Sequence, residues 1–112
     1  MSRFDDLTLG DVRELMGLFS GQHNEPRHPF TIGKIYLIRT VTMIQTGRLV
    51  DVTPTELVLE DAAWIADTGR FSEALVSLNF LEQEPFPDGK VIVGRGALID
   101  AVEIKAVQRT LK

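Results

Sequence analysis

The chain contains no cysteine. Disulfides and thiolate metal sites are therefore excluded, and a reducing cytosol is compatible with the composition. Long apolar runs are also missing: none approaches the roughly 18 residues that a membrane span needs. The opening "MSRFDDLTLGD" carries acidic residues and no apolar h-region, so it does not read as a secretory signal. A cytoplasmic setting is expected. An excess of positive charge is lacking too. Twelve Lys and Arg stand against sixteen Asp and Glu, a formal net charge of -4, which argues against non-specific nucleic-acid binding but leaves a local basic patch open. The two histidines, His23 and His28, are five residues apart with no third ligand nearby. That spacing matches no common metal site, so both read as surface residues.

What is present is an ordinary globular balance, 44% hydrophobic and 25% charged over 112 residues, and one domain spanning 1–112 is expected. A domain of this size buries only about two-thirds of its unfolded surface, so association with further copies would help it. Residues 8–19, "TLGDVRELMGLF", predict a helix. Thr8 is placed to cap it, and Leu9, Val12, Leu15, Met16 and Phe19 form one apolar stripe. A polar loop over 20–31 follows, with two prolines.

From Gly33 the pattern turns to β-branched and aromatic residues. "KIYLIRTVTMI", "TGRLVDVT" and "ELVLEDAAWI" read as three strands over 33–64, with Pro54 breaking the chain between the last two. No strong turn dipeptide separates the first two. Within 65–89, Phe71, Ala74, Leu75, Leu78 and Leu81 return to helical spacing, Asp67 or Thr68 is placed to cap, and Pro87-Asp88-Gly89 is a strong turn. Two further strands, "KVIV" and "ALIDAVEI", occupy 90–104, and a short basic tail, expected to fray, ends the sequence. The whole predicts a mainly β fold with an N-terminal helix: a five-stranded small barrel with a helical segment inserted between strands 3 and 4, since closure disposes of exposed strand edges.

Two stretches resemble a known family. "GRLVDVTPTELVLEDA", Gly47 to Ala62, is similar to the first sequence motif of Sm and Sm-like proteins, and "VGRGALIDAVE" is similar to the second. The stretch "EDAAWIADTGRF" also looks like small Sm-like proteins found in phages. The resemblance runs from Gly10 to Glu103, and the segment 65–89 is longer than the family's usual connection. It implies an Sm-like, SH3-type barrel. Independently of it, Gly47 lacks a Cβ and suits a strongly bent strand, Leu49, Leu57 and Leu59 suit a core, and Gly94 and Gly96 suit a tight connection.

The resemblance further implies a homo-oligomeric ring of about five to seven copies, closed by heterologous strand pairing. Val91, Ile92, Val93, Leu98, Ile99 and Val102 are the interface residues it points to. It also implies a pocket for an RNA base beside the central pore. Arg95 and Gly96 match that pocket by position, and a guanidinium can stack on a base and hydrogen-bond to it. The partner positions depart from the pattern: Glu56 stands where the family has Asn, and Thr55 where it has an apolar stacking residue. A carboxylate repels a phosphate chain. Glu56 could instead pair with Arg95, in its own copy or a neighbour's.

Other candidate chemistry is sparse. Asp51, Glu60, Asp61 and Asp100 have no spacing that defines an acid–base pair and read as a solvated face or local ion pairs. Trp64 and Phe71 suit either an exposed aromatic site or a satellite core beneath the inserted helix. Neither a nucleophile–base pair nor a metal cluster is visible, so an enzyme and a cofactor are not expected. The leading expectation is a structural or interaction module in the form of an Sm-like ring, with a protein partner. The alternative is an RNA-binding Sm-like scaffold or chaperone.

Overall fold

A computed structural model describes residues 28–112. The predicted helix over 8–19 and His23 lie outside the described residues. The fold is mainly β, as the residue pattern predicts. Its elements are β1 (Ile35–Thr40), β2 (Ile44–Val52), β3 (Glu56–Asp67), α1 (Phe71–Ser77), β4 (Glu82–Pro85), β5 (Val91–Gly94), a 3-10 turn (Arg95–Ala97) and β6 (Leu98–Ile104). All strand pairs are antiparallel. The order is β4-β3-β2-β1-β6, and β5 pairs with β3 off that path. Six strands thus replace the expected five, because the segment 65–89 contributes an edge strand as well as a helix. Among the described residues, no helix is long and apolar enough to cross a membrane.

The first turn falls earlier than the run "KIYLIRTVTMI" suggests. β1 stops at Thr40, whose hydroxyl donates to the Met43 carbonyl and accepts from the Met43 N–H, both at 3.1 Å. The Thr40 N–H also donates to the Met43 carbonyl at 2.8 Å. Between β2 and β3 the break at Pro54 is where the sequence puts it. The Thr53 hydroxyl accepts from the N–H groups of Thr55 and Glu56, an ST-type turn that supplies the bonds the ladder loses there.

β3 is long because it serves two partners in succession. Glu56 to Leu59 pair with β5, and Ala63 to Asp67 pair with β4. Between the two stretches the register with β2 shifts, and Asp61 takes a left-handed conformation with φ 51°. This extra residue reverses which face the later side chains meet. Leu57, Leu59 and Ala62 join one buried cluster with Tyr36, Ile38, Leu49 and Val93. Ala63 and Ile65 join a second with Leu37, Ala74, Phe80 and Ile104.

The bend also needs two glycines. A Cβ on Gly47 would lie 3.0 Å from that of Leu59. A Cβ on Gly89 would lie 3.0 Å from the Asp61 nitrogen, and Gly89 has φ +74° as well. Its carbonyl accepts from the Ala62 N–H at 2.9 Å. Gly94 and Gly96 differ from the expectation. Neither has positive φ, and a Cβ on either would meet open space, so the connection between β5 and β6 does not require glycine.

The inserted helix is shorter than its apolar spacing suggests. It ends at Leu78, which has φ 57° and donates its N–H to the Ala74 carbonyl. Asp67 and Thr68 do not cap it. They shape the preceding turn through Gly69, and the capping position belongs to Arg70, with no side-chain bond. Phe71, Ala74, Leu75 and Leu78 pack over the second cluster. Leu81 is exposed, and buried Phe80 takes the place expected for it. The residues after β6 are not frayed: Gln108 is buried, and the segment is bonded to β4 and its surroundings.

Candidate site around Arg95

The 3-10 turn brings Arg95 against the β2–β3 turn. Its backbone N–H donates to the Thr55 carbonyl at 2.8 Å. Its Nη1 donates to the Thr53 carbonyl at 2.7 Å. Its guanidinium carbon stands 5.8 Å from the centroid of the Phe30 ring, within cation–π reach. Phe30 meets Tyr36 edge-on with centroids 6.0 Å apart and lies 6.0 Å from the His28 ring. The Thr31 N–H donates to the Tyr36 hydroxyl at 2.9 Å, which fixes this preceding segment to β1. Arg95 is therefore half-buried in an aromatic setting that comes from outside both sequence motifs.

Glu56 is close in sequence to these contacts and does not pair with Arg95. Its Oε1 accepts from the Thr55 hydroxyl at 2.9 Å and from the Thr53 hydroxyl at 3.2 Å. Gly96 lies on the outside of the 3-10 turn, exposed. The structure thus gathers Arg95, Thr55 and Glu56 in one place. Thr53 and Phe30 join them. Thr53 acts through its carbonyl, which carries no residue signature, and Phe30 precedes the first strand in "HPFT".

The other candidates separate. Asp61 pairs with Arg48 at 2.5 Å, and Asp100 pairs with Arg39 across the β1–β6 ladder. Hydrogen bonding from Arg39 holds the Asp100 carboxyl below its ordinary range, and the same contact raises Arg39. The Arg39 guanidinium also lies 4.8 Å from the Phe71 ring centroid. Asp51 accepts from the Val52 N–H, and Glu60 is exposed. These carboxylates make local bonds and do not converge. Trp64 and Phe71 part company: Phe71 joins the satellite core, whereas Trp64 is 38% exposed beside a hollow of about 420 Å³ that Met43, Ile65 and Ile99 also line. Among the described residues no group of three His, Asp or Glu side chains could hold a metal ion.

The six positions expected to form an interface fall into two sets. Val93 is buried, and Val91 and Leu98 pack against the first cluster, so their side chains serve the chain's own core. Ile92, Ile99 and Val102 are exposed by 63%, 62% and 40%. Among the described residues β5 pairs only with β3 and β6 only with β1, so each strand has a free edge. No family model, no curated protein and no solved structure matches this chain.

Proposed function

We propose that the chain is an Sm-like structural module that assembles into a ring by pairing the free edge of β5 with the free edge of β6 in the next copy, and that the assembled ring holds a protein partner. The observation that carries the reading is the state of those two strands. Among the described residues each has one strand partner and one open edge, a single 3-10 turn joins them, and their exposed apolar side chains are Ile92, Ile99 and Val102, interspersed with exposed Asp100 and Glu103. Unpaired backbone edges beside exposed aliphatic residues are a liability in a monomer and a template for pairing with a second chain.

The connectivity supports the same reading. A bent β3 that passes from one neighbour to another and a β6 returning to β1 allow the sheet to curl towards a small SH3-type barrel. In this reading Arg95 acts structurally by tying two turns together. Glu56 is satisfied by hydroxyl donors and adds negative charge beside it. Both favour a protein-binding ring over an RNA-binding one. Light scattering after size exclusion, on the wild type and on Ile92→Asp, tests the proposal: an oligomer that Ile92→Asp reduces to a folded monomer is the expected result.

A further inference from the structure

The outer edge of β4 is occupied in a way that the ring reading does not use. β4 pairs with β3 along one side. On the other side Gln83 exchanges both backbone hydrogen bonds with Lys112, its N–H donating at 3.2 Å and its carbonyl accepting at 2.9 Å. That is one hydrogen-bonded pair of an antiparallel ladder. The Gln83 side chain adds to it, with Nε2 donating to the Thr110 carbonyl at 2.7 Å. Residues two apart in a strand point the same way, so Pro85 would carry the next outward donor, and proline has no N–H. Gln83 is thus the position at which this edge accepts a strand.

Arg109 fixes the register. Its Nη1 donates to the Ala62 carbonyl at 2.7 Å and its Nη2 to the Phe86 carbonyl at 3.0 Å, a fork across the bend of β3. Lys112 Nζ donates to Asn79 Oδ1 at 3.0 Å. The hold is almost wholly polar. Arg109, Thr110 and Lys112 are exposed, and Leu111 is 71% exposed, so no apolar side chain beyond Val107 anchors the segment. Gln83 is 2% exposed, yet its Oε1 has no partner among the described residues. An acceptor therefore stays open inside the contact.

We propose that the outer edge of β4 is a strand-docking site for an extended, arginine-bearing peptide segment, and that residues 107–112 of this chain occupy it as a displaceable strap. The strap presents a backbone pair to Gln83 and a planar fork to the Ala62 and Phe86 carbonyls, and a lysine cannot reproduce that fork. It also closes an edge that would otherwise pair with another chain. The inference is independent of the ring, whose edges are β5 and β6.

The test uses the chain lacking residues 106–112 and a labelled synthetic peptide of sequence AVQRTLK. The peptide binds the shortened chain saturably and perturbs the Gln83 amide, replacing its arginine by alanine weakens it about tenfold, and the full chain binds it at least about tenfold more weakly because its own strap is in place. A folded shortened chain that does not bind the peptide overturns the proposal, as does equal binding to both chains. Should the shortened chain fail to fold, hydrogen exchange on full-length Arg109→Ala decides. The proposal requires exchange at the Gln83 and Lys112 amides to speed up about tenfold while the β1–β2 amides keep their protection. Unchanged exchange at those two amides overturns it.

Discussion

Arg95 reaches 42 positions back along the chain and donates Nη1 to the carbonyl of Thr53, at 2.7 Å. With the backbone bond from Arg95 to Thr55 it ties the β5–β6 turn to the β2–β3 turn. Removing this guanidinium leaves the Thr53 carbonyl short of a charged donor. Arg95→Ala should therefore cost about 1–2 kcal/mol in denaturant unfolding, the range for a partly exposed bond to a charged group. The same variant addresses RNA. A uridine-rich oligonucleotide should bind the wild type weakly at physiological salt, because Thr55 offers almost none of the roughly 1–3 kcal/mol that base stacking supplies. Anisotropy showing submicromolar binding that Arg95→Ala abolishes would establish a base pocket instead.

Leu75 lies on the face of α1 that packs over the second cluster. Leu75→Asp would place an unpaired carboxylate against the second cluster, and should lower the melting temperature by several degrees, corresponding to about 2–3 kcal/mol. An unchanged melting temperature would mean that the helix contributes no packing.

The glycines divide into opposite predictions. Gly89→Ala forces a Cβ against the backbone of Asp61 at a positive φ, so it should destabilise the protein by at least about 1–2 kcal/mol. Gly94→Ala and Gly96→Ala meet open space at ordinary φ and should leave the stability of a single copy unchanged. If either changes the size of the assembly without changing the fold, the close approach that excludes a side chain there comes from another copy.

Much of this fold is legible in the residues, and what is not has identifiable causes. Leu49, Leu57 and Leu59 announce themselves by strand alternation and are fully buried. The turn after Thr40 is hidden because it is built by a threonine hydroxyl among β-branched residues that favour strand. β4 is hidden because a four-residue edge strand containing glutamates and a proline has no alternating apolar signature. Leu81 continues a helical period that Leu78 ends, since the left-handed conformation at Leu78 turns the chain and sends Phe80 inward. At the site, Arg95 and Glu56 could be named from sequence. The side-chain partners of Arg95 could not, because the Thr53 carbonyl belongs to the backbone and Phe30 comes from a segment outside the motifs.

Asp100 gives a dependence on pH with a definite sign. Its folded value lies below the ordinary carboxylate value because Arg39 hydrogen-bonds to the ionised form. The pair's contribution is therefore fully present above the unfolded value of about 3.9 and is lost as pH falls through the lower folded value. Both groups are exposed, so the effect should be small. Thermal unfolding followed from pH 6 down to pH 2 should show a slightly smaller loss of stability in Asp100→Asn than in the wild type. A larger loss in the variant would contradict the assignment.

In the proposed ring, β5 and β6 are the two halves of an interface between copies. Size exclusion with multi-angle light scattering at micromolar concentration measures this directly. A ring closed by heterologous contacts gives a single closed species, of about five to seven copies on the proposed Sm-like geometry. A strict monomer over the same concentration range would contradict it.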